Sequence, residues 1–445
     1  MPNLQPIVAL ASRVAMERIV GQLRQHFGNR RWLSATNRYA TDTTNRLKAD
    51  TAANPPQVVG ADLAEYIAAS STLHSLDGWS FLGRAVDATL RGDPDTARHL
   101  GYYAELRAAM AILATEGIGV FSDRHFIVEA TSQPSRIPSS AKTHRILWEL
   151  FDEWSKAPKA ANLVGQIVTV SGIPLASWIN YFGVGTSAAL QPVARDWLIT
   201  WGLDVLQLGK DRDSRNESSY RPTGLRPLST GSLGAFNAVS DLWRALEPSP
   251  AGRFEIIDSF LFRTCVETIF TSVSGKQPKA AAKDYRKQIK NMLAKANPNS
   301  DMRSLKDFLI RRQRRRDPLV VRLARGMDSV THPNHHLQVI SRASLLLRIA
   351  SGACAGLLTN GGTTLASMRF WWCELGEARG YWEGSSRPDD VTDLWADVQQ
   401  ALEQIKSKHS TVPNRAMLQR RRQGVSSEIA VLGECERIGL WGINV

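Results

Sequence analysis

Residues 95–116, DTARHLGYYAELRAAMAILATE, put small or apolar side chains on nearly every face of a helix. A helix of that kind has no solvated side, so it needs a chain large enough to surround it. Pro94 precedes it and fixes a helical φ where no backbone donor is needed. Asp95 reads as its cap and Gly117 as its stop. Helical spacing recurs in PIVALASRVAMERIVGQLRQHF (6–27), ILWELFDEW (146–154), PVARDWLITWGLDVL (192–206) and HHLQVISRASLLLRIASGACAGLL (335–358). The clearest strand signal is GIGVFSDRHFIVEA (117–130), two short apolar runs around a Ser-Asp-Arg turn. The expected fold class is mainly α: multi-helical, two domains, with one small β-hairpin near 117–130.

The segment GKDRDSRNESSYRPTGLRPLSTGS (209–232) is polar and carries two prolines. It reads as a linker or long loop. It divides an N-terminal helical domain with the hairpin (1–208) from a C-terminal helical domain (233–445). In the latter, SRPDDVTDLWADVQQALEQI (386–405) has Pro388 near a helix start and acids in the first turn. With 445 residues, 43% of them hydrophobic, the chain can bury a sizeable core. Trp371 and Trp372 read as part of it.

Four scattered cysteines, Cys265, Cys354, Cys373 and Cys435, fit neither a disulfide framework nor a zinc spacing and read as buried thiols. Arg13, Glu17 and Arg18 interrupt any apolar leader, and no window approaches ~20 uninterrupted apolar residues. A cytoplasmic protein with no membrane contact is expected.

The net charge is +13, and its location matters more than its total. Lys276 to Gly326 holds sixteen Lys or Arg against four Asp, which leaves the rest of the chain close to neutral. Charge concentrated in one segment points to a polyanion partner; the plainer reading is a solvated helix face. The residues expected to meet phosphates are Lys283, Arg286, Lys287, Lys290, Arg311, Arg312, Arg314, Arg315, Arg316 and Arg322. Contacts of that kind add affinity and salt dependence but no sequence choice. Tyr285 and Phe308 lie among these charges and are too few for a base-stacking platform.

Several enzyme signatures are absent. Gly275-Lys276 lacks the rest of a phosphate-binding loop, TGSLG (230–234) is not a nucleophile elbow, and there is no HExxH. GVGTSA (183–188) is a loose match to a dinucleotide fingerprint without a convincing strand before it. His332, His335 and His336 cluster without an acid or thiol at metal-ligand spacing, so no metal or cofactor is expected.

What remains is RGMDSVTH, an Arg325-x6-His332 spacing. Metal-free cleavage of RNA needs a group near neutral pKa to move the 2′-hydroxyl proton, and a cation beside the phosphate as charge builds. Histidine and arginine are suited to those two tasks. Pro333 disfavours helical geometry at His332 and favours a break there. The motif resembles the Arg-x4–6-His signature of the HEPN (higher eukaryotes and prokaryotes nucleotide-binding) family, over residues 233–405 at most. That resemblance implies a helical, metal-independent endoribonuclease of bacterial toxin or antiphage defence type, acting as a homodimer with Arg325 and His332 as the catalytic pair. The sequence departs from the family at Gly326, where a polar residue is favoured.

Three functions stay open at this point. One is that ribonuclease. Another is a non-catalytic helical scaffold that uses 276–326 to hold DNA or RNA within a larger complex. The third is a small-molecule enzyme with a pocket near His99, Glu105 and Arg107. On a buried helix Glu105 and Arg107 must be paired, and a structural ion pair is the plainer account of them.

Overall fold

The computed structural model describes residues 3–182, 194–220, 233–249, 253–296, 302–311, 317–329, 332–410 and 422–443. The fold is mainly α. Its first half contains α1 (Gln5–Leu10), α2 (Arg13–Phe27), α3 (Thr43–Ala52), α4 (Gly60–Leu90) and α5 (Pro94–Thr115). Strands β1 (Ile118–Phe121), β2 (Arg124–Val128) and β3 (Pro134–Ile137) follow, then α6 (Thr143–Lys156) and α7 (Pro158–Ile167). A two-strand ribbon, β4 (Thr169–Val170) and β5 (Ile173–Pro174), leads to α8 (Leu175–Phe182), α9 (Ala194–Trp201) and α10 (Val205–Tyr220). The second half runs through α11 (Leu233–Ala245), α12 (Glu255–Ser274), α13 (Ala282–Ala296), α14 (Met302–Ile310) and α15 (Leu319–Ala324). It continues with α16 (His335–Asn360), α17 (Arg369–Arg379), α18 (Leu394–Ser410), α19 (Ser426–Leu432) and α20 (Glu436–Gly442).

The centre is built from α4, α5 and α16. A three-residue turn at 91–93 folds α5 back on α4, with Gly92 at φ +78°, a left-handed conformation that suits glycine. Asp93, rather than Asp95, caps α5: its side chain accepts from the Thr96 N–H at 3.0 Å. Pro94 then occupies the first turn, and Asp95 pairs instead with Arg98 at 2.7 Å. The three helices meet at Gly78, where a Cβ would lie 2.5 Å from Leu347 of α16 and 3.4 Å from the Ala104 carbonyl of α5. Trp79 of α4 donates from Nε1 to Ser351 of α16 at 2.9 Å. Trp79, Trp154, Trp178, Trp201, Trp243 and Trp441 are all under 2% exposed. Each withdraws about 150–250 Å² from water, on the order of 4 kcal/mol before entropy is counted.

Among the described residues α16 is the helix long and apolar enough to cross a membrane, and 89% of its most apolar window is buried by the rest of the protein. Its apolarity is that of a core helix. All four cysteines are buried thiols, and Trp372 is buried while Trp371 packs its ring against Trp32 at 5.4 Å.

The hairpin forms as its pattern predicts, with Ile118 opposite Ile127 and Phe121 opposite Arg124. It gains an unpredicted third strand: β3 pairs with β2, placing His125 opposite Ile137. Pro134 opens β3 at the edge, where its missing N–H costs no ladder bond.

Two expectations are corrected. The helix expected over 6–27 is two helices, broken at Ala11 and Ser12, whose hydroxyl accepts from the Ala15 N–H. The linker expected over 209–232 is helical through Tyr220 as part of α10; residues 221–232 lie outside the described residues. The reason is that α10 buries a polar face. Gln207, Asp211 and Ser214 are buried along with Leu208, so polar composition there reflects internal partners rather than solvent. The core also runs across that segment, since α4 and α5 from before it pack on α16 from after it.

Candidate nucleic-acid interface

Helix α13, AKDYRKQIKNMLAKA, divides cleanly into two faces. Tyr285, Ile289, Met292 and Leu293 are buried at i, i+4, i+7 and i+8 spacing. That face packs on α8 and α14. The Phe270 ring meets Tyr285 edge-on at 5.0 Å, and Gln288 donates to the Phe182 carbonyl at 2.7 Å. The other face carries Lys283, Arg286, Lys287 and Lys290, all exposed. None of the four has an ion-pair partner among the described residues. At 1.5 Å per residue they cover about 10 Å of helix, roughly three nucleotide steps of a duplex strand.

The arginine run that follows divides differently. Arg311 is drawn inward: it binds Asp317 at 3.0 Å and lies over the Phe260 and Phe308 rings. Asp317, 4% exposed at its side chain, also holds the buried Arg263 of α12. Arg311 therefore belongs to a structural cluster with Asp317 and Arg263, unlike the four cations of α13, which are unpaired among the described residues. Arg312, Arg314, Arg315 and Arg316 lie outside the described residues. Arg322 is exposed on α15.

The Arg325–His332 pair is placed around a tethered loop. Arg325 caps the end of α15 and donates from Nη2 to Thr264 of α12 at 2.8 Å. His332 has its side chain 43% exposed, lies 3.3 Å from Asp328, and accepts from the Asn334 N–H at 3.2 Å. The two side chains thus face different partners. The loop between them is held from below by α16. Arg342 donates to the Gly326 carbonyl at 3.0 Å, and Gln338 donates to Asp328 at 2.6 Å. Gln338 also lies against the glycine of the motif. A Cβ at Gly326 would lie 2.3 Å from Gln338 Nε2, so a larger residue there would have to displace the Gln338 amide from Asp328.

The polar residues of α5 belong to buried networks that the sequence could not apportion. Glu105 and Arg107 are not paired with each other. Arg107 donates to His74 at 2.8 Å and lies 3.7 Å from Asp77. Glu105, fully buried, lies beside Asp211 of α10 and 3.8 Å from Arg342. Arg342 grips Asp211 with two bonds, Nε at 2.6 Å and Nη2 at 2.8 Å. Burial, and then the neighbouring Asp211 carboxylate, push Glu105 well above the usual carboxylate range, and neither of its oxygens makes a hydrogen bond among the described residues. His335, 2% exposed, sits 3.9 Å from the same Asp211. Burial, with Arg98 and Arg342 nearby, pushes it down to about 3, which leaves it neutral. His99 is bound to Ser219 of α10 at 2.8 Å. These contacts lock α5, α10 and α16 together.

Comparison with family models, with curated proteins and with solved structures finds no significant match.

Proposed function

We propose that this chain is a non-catalytic helical subunit that holds nucleic acid by its phosphate backbone, within a larger cytoplasmic complex. The observation that carries this reading is the exposed row Lys283, Arg286, Lys287 and Lys290, which forms no ion pair among the described residues and has Asp284 as the one acid on its helix. A surface ion pair contributes little to the fold, so four uncompensated cations on one face cost little in stability and favour a multivalent anion. A packed helix holds them in a fixed row, which lowers the ordering cost of engaging several phosphates together. Phosphates of RNA and DNA offer that row the same chemistry.

The non-catalytic reading is preferred to the ribonuclease reading because Arg325 and His332 meet different partners, Thr264 and Asp328. Fluorescence anisotropy with a single-stranded RNA and a duplex DNA, each at 50 and 200 mM salt, tests it. Wild type is expected to bind and to weaken steeply with salt. The fourfold variant Lys283→Gln, Arg286→Gln, Lys287→Gln, Lys290→Gln is expected to lose most of that affinity. Binding and salt slope unchanged in this variant would sink the reading. RNA cleavage in EDTA that disappears in His332→Ala would replace it with the ribonuclease.

A further inference from the structure

Where α1, α7, the start of α12 and the second half of α16 meet, there is a cavity of about 1010 Å³. That is at the upper end of the range of small-molecule sites, roughly 300–1,000 Å³. Much of its wall is apolar, including Leu163, Ile167 and Phe254. Leu10 and Val14 also line it and are 57% and 65% exposed, so the wall reaches the surface through large apolar side chains.

Two side chains in this wall lack what burial demands. Glu116, at the end of α5, is 1% exposed, and neither carboxyl oxygen accepts a hydrogen bond. It is ion-paired with Arg13 Nη1 at 3.5 Å, too long for a good hydrogen bond, and Lys159 and Trp154 lie near it. A buried carboxyl without a hydrogen bond costs about 1–3 kcal/mol, which the Arg13 charge offsets only in part. The second is Arg253, just before α12. It is partly buried and has no carboxylate or hydrogen-bond partner among the described residues. The other cations of the wall are engaged. Arg348 grips Asp258 with bonds of 2.9 and 2.7 Å, and Lys159 donates to the Val8 and Ala11 carbonyls at 2.6 and 2.9 Å.

The floor is kept open at some cost to helix stability. Gly356 lines the cavity from the interior of α16, where glycine is about 1 kcal/mol worse than alanine, whereas Gly352, one turn earlier, is needed for close packing on Ile167. At Gly356 a Cβ would have a single neighbour within 4 Å, Arg13 Nη2 at 3.2 Å. A larger side chain there would grow into empty space.

We infer that this cavity binds a small organic anion with an apolar body, its carboxylate or phosphate monoester head on Arg253 and its hydrocarbon on the apolar wall. Either head offers a guanidinium the oxygens it needs for a bidentate contact. Glu116 and Arg13 supply a donor and acceptor pair for a further polar group of the ligand.

Isothermal titration of the full chain with octanoate and with octyl phosphate tests this, with octyltrimethylammonium as the control cation. One of the two anions is expected to bind at one site per chain, and the tighter one identifies the head group. The cation is expected not to bind. Arg253→Gln is expected to weaken the anion about tenfold or more, as for loss of one charge-assisted contact. Gly356→Leu is expected to abolish binding by filling the floor. Thermal melts confirm that each variant is folded. Should Gly356→Leu fail to fold, Arg253→Gln carries the test, since its side chain supports nothing else. The inference is overturned if neither anion binds saturably below 1 mM, if the cation binds equally well, or if folded Arg253→Gln or Gly356→Leu binds like wild type.

Discussion

Helices α13 and α16 both carry cations, and they use them in opposite ways. On α16, Arg342 and Arg348 are buried, and each is gripped by two bonds from one carboxylate, Asp211 and Asp258. On α13, Lys283, Arg286, Lys287 and Lys290 are exposed and meet no carboxylate among the described residues. A charge withdrawn from water must find a counter-charge inside the protein or it destabilises the fold. A charge left in water needs none. The pairing on α16 therefore serves stability, and the lack of pairing on α13 is what the proposed phosphate contact rests on.

The largest expected effect is on the buried side of this contrast. Arg342→Leu strands Asp211 without its partner and is expected to cost about 3–5 kcal/mol of unfolding free energy, measured by urea denaturation. Replacing Asp211 as well, with Leu, is expected to recover part of that loss, because the uncompensated charge goes with it. A loss under about 1 kcal/mol in the single variant would break the contrast.

Acid probes the same interior. His335 and His336 are neutral in the fold, with burial as the first cause and Arg98 near both, and are pushed down to about 3 and about 4. The unfolded chain takes up these protons near pH 6.5. Because the folded values are depressed, the stability they contribute is present above that pH and is lost as pH falls toward 4. The expected loss is roughly 2 kcal/mol per histidine by pH 5. A His335→Gln, His336→Gln double variant should show a flatter stability profile between pH 7 and 5; an unchanged slope would mean that these rings are not held neutral.

The exposed side is expected to behave in reverse. The fourfold Gln variant of α13 should unfold within ~0.5 kcal/mol of wild type. Its nucleic-acid affinity should depend on salt with a log–log slope shallower by roughly 3–4, about one for each phosphate no longer neutralised. A large stability change with an unchanged slope would assign these cations to the fold instead. The smallest effect is expected at His332, which is half exposed and bound only within its own loop. His332→Gln should shift stability by no more than ~0.5 kcal/mol and leave the salt slope alone.

Much of this architecture was legible in the chain. Apolar spacing marked α5, α6, α9 and α16, and the Ser-Asp turn marked the β1–β2 hairpin, because these signals act over a few residues. The charge excess of 276–326 was equally plain, and the apolar spacing of 285, 289, 292 and 293 says which face of α13 the lysines must leave. Other features had no local signal. Helix α10 was hidden because a buried face containing Asp211 looks like a polar loop until Arg342, 131 residues away, is beside it. Arg311 and the cations of α13 carry the same charge in the sequence; Asp317 and two phenylalanine rings engage Arg311 alone of these. The spacing of Arg325 and His332 suggested one site; their partners, Thr264 for one and Asp328 for the other, had no local signal. The cavity beside Glu116 is likewise assembled from segments hundreds of residues apart. Sequence by itself determined the helical class and where charge is concentrated, since both follow from local periodicity and composition. Which charges are paired, which are free and where empty space is enclosed were decided by tertiary structure, because each depends on a partner brought up from elsewhere in the chain.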